Sequence, residues 1–177
     1  MKTAVQAVFP IWKTVTIGGQ LESTDAALLQ LKKAGIRIES WVEDLARKVP
    51  LVSEPKTLNL VRIRTGNLGF QGNVYLSDTY AAAARTGLEL CPAETALNLW
   101  VAEHDLLNGR FDCIQFAMEP IRVGNDPDDL AILVLSLINS TYGFSQLMNG
   151  RWLSCHPGFP DYQFEPNIDL IFVQKPR

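Results

Sequence analysis

Apolar and polar residues alternate in the segment "WKTVTIG" (12–18), and this pattern predicts a first β-strand. The next segment, "STDAALLQLKKAG", begins with residues that cap helix starts and ends with a glycine suited to the left-handed conformation after a helix. Within it Ala27, Leu28 and Leu31 recur at helical spacing. The sequence therefore predicts a strand followed by a helix with one apolar face.

The order helix, glycine, short apolar-charged-apolar link and second helix occurs twice along the chain. In the first copy the link is "IRI", and the helix that follows has Ser40 and Glu43 at the spacing of a capping box, with Pro50 just beyond its end. In the second copy a helix capped by Ser77 ends at Gly87, and "LEL" leads into "CPAETALNLWVAEHD". This repetition fits either an internal duplication or two ordinary helical hairpins.

From residue 109 onward the pattern is that of strands. "RFDCIQFAM" alternates, "GRWLSC" and "NIDLIFVQK" are β-rich, and the apolar run "AILVLSLIN" is more typical of a central strand than of a short buried helix. An earlier alternating segment, "KTLNLVRIRT" (56–65), adds another strand. We predict an α+β fold in which an N-terminal strand and helical hairpins pack on a mainly antiparallel C-terminal sheet, with the helices on one face.

Length and composition are those of an ordinary globular protein. The 177 residues are 47 % hydrophobic, which does not fit intrinsic disorder, and we expect one domain over 1–177, helix-rich over 12–108 and β-rich over 109–177. The N-terminus lacks the features of a signal peptide, and the longest apolar run is about half of a membrane span. Three cysteines without a CxxC pair favour a reducing compartment. We therefore expect a cytoplasmic protein with no membrane contact, no metal site and no cofactor.

Charge is distributed unevenly along the chain. Residues 1–65 carry ten Lys and Arg against six Asp and Glu, or +4, and residues 66–177 carry six against thirteen, or −7, which gives the net charge of −3. This balance argues against nucleic-acid binding, because nucleic-acid-binding proteins present a basic surface. The asymmetry suits a polar interface with a protein partner or with a second copy of the chain.

The block "CPAE" has the most specific candidate chemistry. Pro92 suits the first position of a helix over 92–107, and Glu94 in the first turn complements the helix dipole. A cysteine at a helix start has a lowered pKa, so Cys91 is a candidate nucleophile as well as a candidate packing residue. His104 cannot serve as its base, because thirteen helical residues span about 20 Å.

Three other groups of residues are candidates for a site. Glu119, at the end of "AMEPI", is a candidate general acid or base, or simply a charged strand end. His156 follows Cys155 in a predicted loop, where adjacent side chains point apart and make a poor metal pair. The acidic run "NDPDDL" is typical of a solvated turn and lacks the features of a calcium loop.

Arg62 and Arg64 share one strand face and form a small basic strip with Lys56. The four tryptophans are more typical of core or subunit-contact residues than of a ligand cage. Arg62, Arg64 and Trp152 are the candidate binding residues.

The blocks "WKTVTIG", "GIRIESWVEDL", "LGF", "LELCPAE", "AMEPI" and "RWL" occur here in the same order as in a set of small uncharacterised bacterial proteins, which the chain resembles. The chain departs from that set after Glu94, where "TALNLW" stands, and its segment 122–150 is longer and more apolar. The resemblance implies that these blocks delimit one domain, and it implies no chemistry.

Two functional hypotheses follow. The first is a non-enzymatic binding or accessory module that acts through macromolecular contacts, as a homodimer or with another protein. The alternative is a small cysteine-dependent hydrolase or transferase with Cys91 at a helix N-terminus, assisted by Glu94, Glu119 or His156. We expect their site where the helix at "CPAE" meets the strand end at "AMEPI", because helix starts offer free N–H groups.

Overall fold

The computed structural model describes residues 9–103, 111–126, 128–138, 149–164 and 168–175. Within these ranges the helices are α1 (Thr24–Lys33), α2 (Ser40–Arg47), α3 (Leu76–Arg85) and α4 (Glu94–Ala102), with a short 3-10 helix at Thr65–Leu68. The strands are β1 (Lys13–Ile17), β2 (Arg37–Ile38), β3 (Lys56–Arg64), β4 (Val74–Tyr75), β5 (Leu88–Glu89), β6 (Phe111–Phe116), β7 (Ile121–Arg122), β8 (Leu130–Ile138), β9 (Gly150–Pro157), β10 (Gln163–Phe164) and β11 (Asp169–Gln174).

Nine of the strands in the described ranges form one mixed sheet. Its order is β1-β3-β11-β6-β8-β9-β2, with β5 beside β11 and β7 beside β8, and β4 and β10 form a separate ribbon. Only the β6–β11 and β2–β9 pairs of this sheet are parallel. The α+β prediction with a mainly antiparallel sheet is confirmed, and the apolar run at β8 is a central strand as expected. The N-terminal strands β1 and β3 extend this same sheet rather than packing on it.

The helices divide between the two faces of the sheet. Tyr80 of α3 packs edge-on against Phe172 of β11. Lys13 of β1 forms an ion pair with Glu103 at the end of α4. Lys13 lies opposite Leu60 of β3, and Leu60 lies opposite Val173 of β11, the residue next to Phe172. Since directly opposed residues share a face and successive residues alternate, α3 and α4 cover opposite faces. The expectation that the helices lie on one face is therefore corrected.

The first helix has the termini that its sequence predicts. The Ser23 hydroxyl accepts a hydrogen bond from the backbone N–H of Ala26 at 3.1 Å, and Gly35 adopts φ +80° after the helix. Gly87 has the same role after α3, with φ +86°. A left-handed residue here costs a side chain about 1–2 kcal/mol, which explains the glycines.

The other two predicted caps are wrong. α2 includes Ser40, and the extended residue before it makes no side-chain capping bond, so the expected capping box is absent from this helix. Glu43 instead pairs with Lys32 of α1 at 2.7 Å. α3 likewise begins at Leu76, which makes Ser77 a helical residue and not a cap. Contacts to other segments, which a local motif does not report, select these starts.

A single cluster of buried apolar side chains runs from Ile17 to Val173 and joins both halves of the chain. α4 is buried on every side from Glu94 to Trp100, beyond the single packed stripe that its sequence suggested. Its predicted end at 107–109 and His104 lie outside the described residues. No helix within the described ranges combines the length and apolarity needed to span a bilayer.

Candidate functional site

The "CPAE" block starts a helix two residues later than expected. α4 begins at Glu94, and the residue before Pro92 belongs to the sheet: Cys91 forms a parallel bridge with Met118, and its N–H donates to the carbonyl of Ala117 at 2.6 Å. The predicted meeting of the "CPAE" and "AMEPI" blocks is therefore a backbone pairing within the sheet.

The environment of Cys91 opposes nucleophilic chemistry. The residue is 3 % exposed, and its thiol donates a hydrogen bond to the carbonyl of Ile171 at 3.4 Å. Burial raises the pKa of this thiol above its ordinary value, because the charged thiolate is poorly solvated there. A reactive cysteine needs an accessible site that stabilises the thiolate. Cys91 has the surroundings of a packing residue.

Glu94 is 1 % exposed and its carboxylate is fully engaged. One oxygen accepts from the N–H of Gly18 at 2.8 Å and from the amide of Asn98 at 2.7 Å, and the other accepts from the N–H of Val52. Three donors compensate for the loss of water around a buried carboxylate. Glu94 therefore ties the start of α4 to two loops that are distant in sequence.

The Gly18 residue that donates to this carboxylate can approach the second loop only because it lacks a side chain. Gly18 has φ +82°, and a Cβ there would stand 2.0 Å from the carbonyl oxygen of Glu54. Gly19 donates to the carbonyl of Val52 at 3.0 Å, which fixes the second donor segment beside the first. The backbone of both loops is thus built around Glu94.

Glu119 is exposed and lines a hollow of about 420 Å³ with Tyr80, Glu89 and Phe172. The Tyr80 hydroxyl donates to the carbonyl of Met118 at 3.1 Å and accepts from its N–H at 3.2 Å. Burial is the main cause that raises the pKa of Tyr80. The hollow thus presents the carboxylates of Glu89 and Glu119 beside the protonated phenol of Tyr80. Cys91 does not line it.

The prediction of a loop at Cys155 and His156 is wrong, because both residues belong to β9 and pair with Leu133 and Ile132 of β8. β8 stands between His156 and the segment of Met118, which bridges to Cys91. Three strand spacings amount to about 14 Å, well beyond hydrogen-bond reach. His156 is therefore not placed to act as a base for Cys91.

Burial lowers the pKa of His156, so its imidazole is neutral near pH 7. Its Nδ1 lies 3.5 Å from the Tyr162 hydroxyl, and the two rings meet edge to face. These contacts hold the imidazole against Tyr162, the residue that precedes β10.

The predicted basic strip is partly neutralised by a partner in a neighbouring strand. Asp169 lies opposite Arg64 across the β3–β11 pair. Its carboxylate accepts from Arg62 Nε at 2.9 Å and from Arg64 Nε at 3.2 Å. With Trp12 and Ile11 these residues border a hollow of about 510 Å³ that carries one net positive charge. Lys56, at the other end of β3, does not line it.

Trp152 is half-buried and already has a cationic neighbour. It lies opposite Arg37 in the β2–β9 pair, and the guanidinium carbon is 5.5 Å from the ring centre. This distance is that of a cation–π contact. The predicted binding residue therefore has a structural partner at the edge of the sheet.

A further cleft, which the sequence did not reveal, opens between α2, the turn after β7 and the end of β9. We call it the Trp41 cleft. Its cavity measures about 220 Å³. The lining residues are Trp41, Val123, Asp128, Asp129, Leu130, Ala131, Cys155, His156, Pro157 and Phe159. They come from three distant segments, which include the acidic turn and the Cys155-His156 pair.

Trp41 is the exposed aromatic residue of this cleft among its described lining residues. The residue is 45 % exposed, and its indole N–H donates to the carboxylate of Glu39, which fixes the ring at the start of α2. Asp128 and Asp129 are exposed, and neither forms an ion pair with a residue in the described ranges. The cleft thus combines an aromatic wall with uncompensated carboxylates.

Cys155 reports the sign of the electric field in the cleft. Burial, followed by the charges of Glu39 and Asp129, raises the pKa of this thiol to about 11. Burial raises a thiol pKa without any charged neighbour, whereas the two carboxylates raise it because the potential they produce at the sulfur is negative. The same field favours a cation.

Among the described residues no group of three or more His, Cys, Asp or Glu side chains is arranged to hold a metal ion. Comparison with known protein families, with curated proteins and with solved structures finds no significant match to this chain. Function must therefore be inferred from the geometry of these sites.

Proposed function

We propose that this protein is a non-enzymatic binding module that acts by contacting another macromolecule, and that the Trp41 cleft is its contact site. The observation that carries the proposal is the exposed, fixed indole beside two carboxylates that form no ion pair with any residue the structure describes. Tryptophan is enriched at the centres of protein interfaces, where it contributes a large apolar area at a small entropic cost. An unpaired acidic pair next to it offers charge complementarity to a partner.

The hypothesis of a cysteine-dependent hydrolase or transferase has less support. It requires an accessible thiolate at Cys91 with a base beside it. The thiol is buried and its pKa is raised, Glu94 is committed to three donors, and His156 lies across β8. Of the candidate assistants only Glu119 is exposed, and it faces the hollow on the Tyr80 side.

The partner in this proposal is a different protein or a second copy of the chain. Light scattering coupled to size exclusion separates the two: a dimer that Trp41→Ala dissociates identifies the cleft as a homodimer contact. A monomer directs the search to other proteins.

Site-specific photo-crosslinking in cells tests the contact site. A photoreactive phenylalanine analogue is placed at Phe159, which lines the cleft, and in a second variant at Ile11, which is 54 % exposed beside the Arg62–Asp169 hollow. We expect defined adducts from position 159 that disappear with Trp41→Ala. Adducts from position 11 alone would contradict the proposal and favour the arginine surface.

A further inference from the structure

Three tryptophans are partly exposed, and two of them already have a cation within the chain. The ammonium nitrogen of Lys13 lies 5.6 Å from the ring centre of Trp12, and the guanidinium carbon of Arg62 lies 6.0 Å from it. Arg37 lies 5.5 Å from that of Trp152. In the described part of the chain no such cation stands over Trp41. Trp41 is thus an accessible indole with its cation position open.

The surroundings of Trp41 favour a positive charge from outside the chain. Glu39 accepts from the indole N–H, and Asp128 and Asp129 line the same cavity. One ammonium lies beside the cleft: Lys48 Nζ donates to the carbonyls of Arg122 and Val123, and its single positive charge leaves the three carboxylates in excess. Glu39 and Asp129 also act on the Cys155 thiol, where their negative charges add to the effect of burial in raising its pKa.

His156 does not reverse this balance. Its lowered pKa leaves the imidazole uncharged near neutral pH, so it contributes an aromatic surface to the cleft and no positive charge. Phe159 adds a second apolar ring. A cation with an aliphatic stem fits such a site, because the stem packs on the rings while the charge meets the carboxylates.

We propose that the Trp41 cleft receives the cationic side chain of a lysine or arginine from a partner protein, an inference that rests on the proposed function above. The size of the cavity supports this occupant. Sites for drug-sized ligands occupy about 300–1,000 Å³. The cleft, at about 220 Å³, suits one side chain.

A pair of probes that differ in charge but hardly in shape tests the inference. N-acetyl-arginine methylamide and its neutral counterpart N-acetyl-citrulline methylamide are titrated into the full chain, with N-acetyl-lysine methylamide in a third arm. The readout is the indole N–H signal of Trp41 in a ¹H–¹⁵N spectrum, assigned by its loss in Trp41→Phe. We expect at least one cationic probe to bind about tenfold more tightly than citrulline, since one desolvated cation–π contact is worth about that factor.

Variants of the cleft carboxylates test whether negative charge, and not only the shape of the cavity, favours the cationic probe. Asp128→Asn with Asp129→Asn should weaken binding of the cationic probe and narrow its advantage over citrulline, whereas Asp78→Asn, an exposed change on α3, should leave binding unchanged. Equal binding of charged and neutral probes overturns the cation inference but leaves the cleft as a binding site. If no probe moves the Trp41 signal, the inference is also overturned, and the crosslinks from position 159 decide the proposed function separately.

Discussion

The two helical hairpins share one sequence pattern, yet their second helices begin in opposite environments. α2 begins beside Glu39 and Trp41 at the surface, where the indole borders an acidic cleft. α4 begins at Glu94 in the core, where the carboxylate binds two loop N–H groups. The difference teaches that a helix start is not a site by itself, because its surroundings decide whether its polar groups serve the fold or a ligand.

The links between the helices explain this divergence. β2 pairs in parallel with β9 at one end of the sheet order, so α2, which follows β2 and contacts β9, begins near that edge. β5 pairs with β11 in the middle of the sheet, and the chain continues from it into the Cys91–Met118 bridge, so α4 starts inside the molecule. A buried start requires internal partners for its polar groups, whereas a start at the edge does not.

The largest loss of stability is expected from a substitution at Glu94, where α4 begins in the core. Glu94→Gln preserves shape but removes a charged acceptor and turns an amide donor toward backbone N–H groups, so we expect a loss of about 3–4 kcal/mol in the free energy of unfolding. Chemical denaturation measures it. Glu89→Gln is the matched control, because Glu89 makes one exposed ion pair with Lys175 and should cost less than about 1 kcal/mol. Equal losses in the two variants would contradict a structural role for Glu94.

The second prediction concerns the loop that Glu94 binds. Gly18→Ala forces a Cβ against the Glu54 carbonyl as well as a left-handed conformation, and we expect a loss of about 3 kcal/mol. Gly35→Ala shares the positive φ but has open space around its Cβ, so its expected loss is about 1–2 kcal/mol. Thermal unfolding of both variants checks the order. The reverse order would mean that the close approach at Gly18 does not constrain the fold.

The smallest expected effect lies at the cleft and depends on pH. The pKa of His156 is lower in the folded chain than in the unfolded one, so the unfolded state binds more protons as pH falls below about 6.5. Stability is therefore retained above that pH and is lost as pH falls toward the folded pKa. His156→Gln should give a shallower loss of stability between about pH 7 and 5. Tyr162→Phe should keep the wild-type dependence of stability on pH, because burial, and not the Tyr162 hydroxyl, lowers the pKa of His156. If His156→Gln leaves this pH dependence unchanged, His156 is not its source.

Local signals in the sequence predicted most of the elements. The Ser23 cap, the glycines at 35 and 87 and the apolar run of β8 each depend on neighbours in the chain. The Ser40 and Ser77 caps failed because an alternative start one or more residues earlier has similar local cost, and tertiary contacts decide between them.

The sites depend on contacts that are distant in sequence, and they were less predictable. Pro157 and Gly158 suggested a loop at His156, but pairing with β8 extends the strand through that position. Glu94 was recognised as a first-turn carboxylate, whereas its donors at Gly18 and Val52 come from segments 76 and 42 residues away. The Trp41 cleft combines three segments, and no one of them contains a recognisable motif.

One measurement compares the start of α4 with the Trp41 cleft, which Cys155 lines. It records the alkylation rates of Cys91 and Cys155 in the folded protein at about pH 9, with and without N-acetyl-arginine methylamide, by peptide mass spectrometry. The chosen pH lies below the pKa of about 11 at Cys155, where its thiolate is a small fraction of the total. We expect Cys91 to stay unmodified, and Cys155 to react slowly, at a rate that changes when the arginine derivative occupies the cleft. Rapid alkylation of Cys91, with no effect of the derivative on Cys155, would contradict this expectation and return the search to the start of α4.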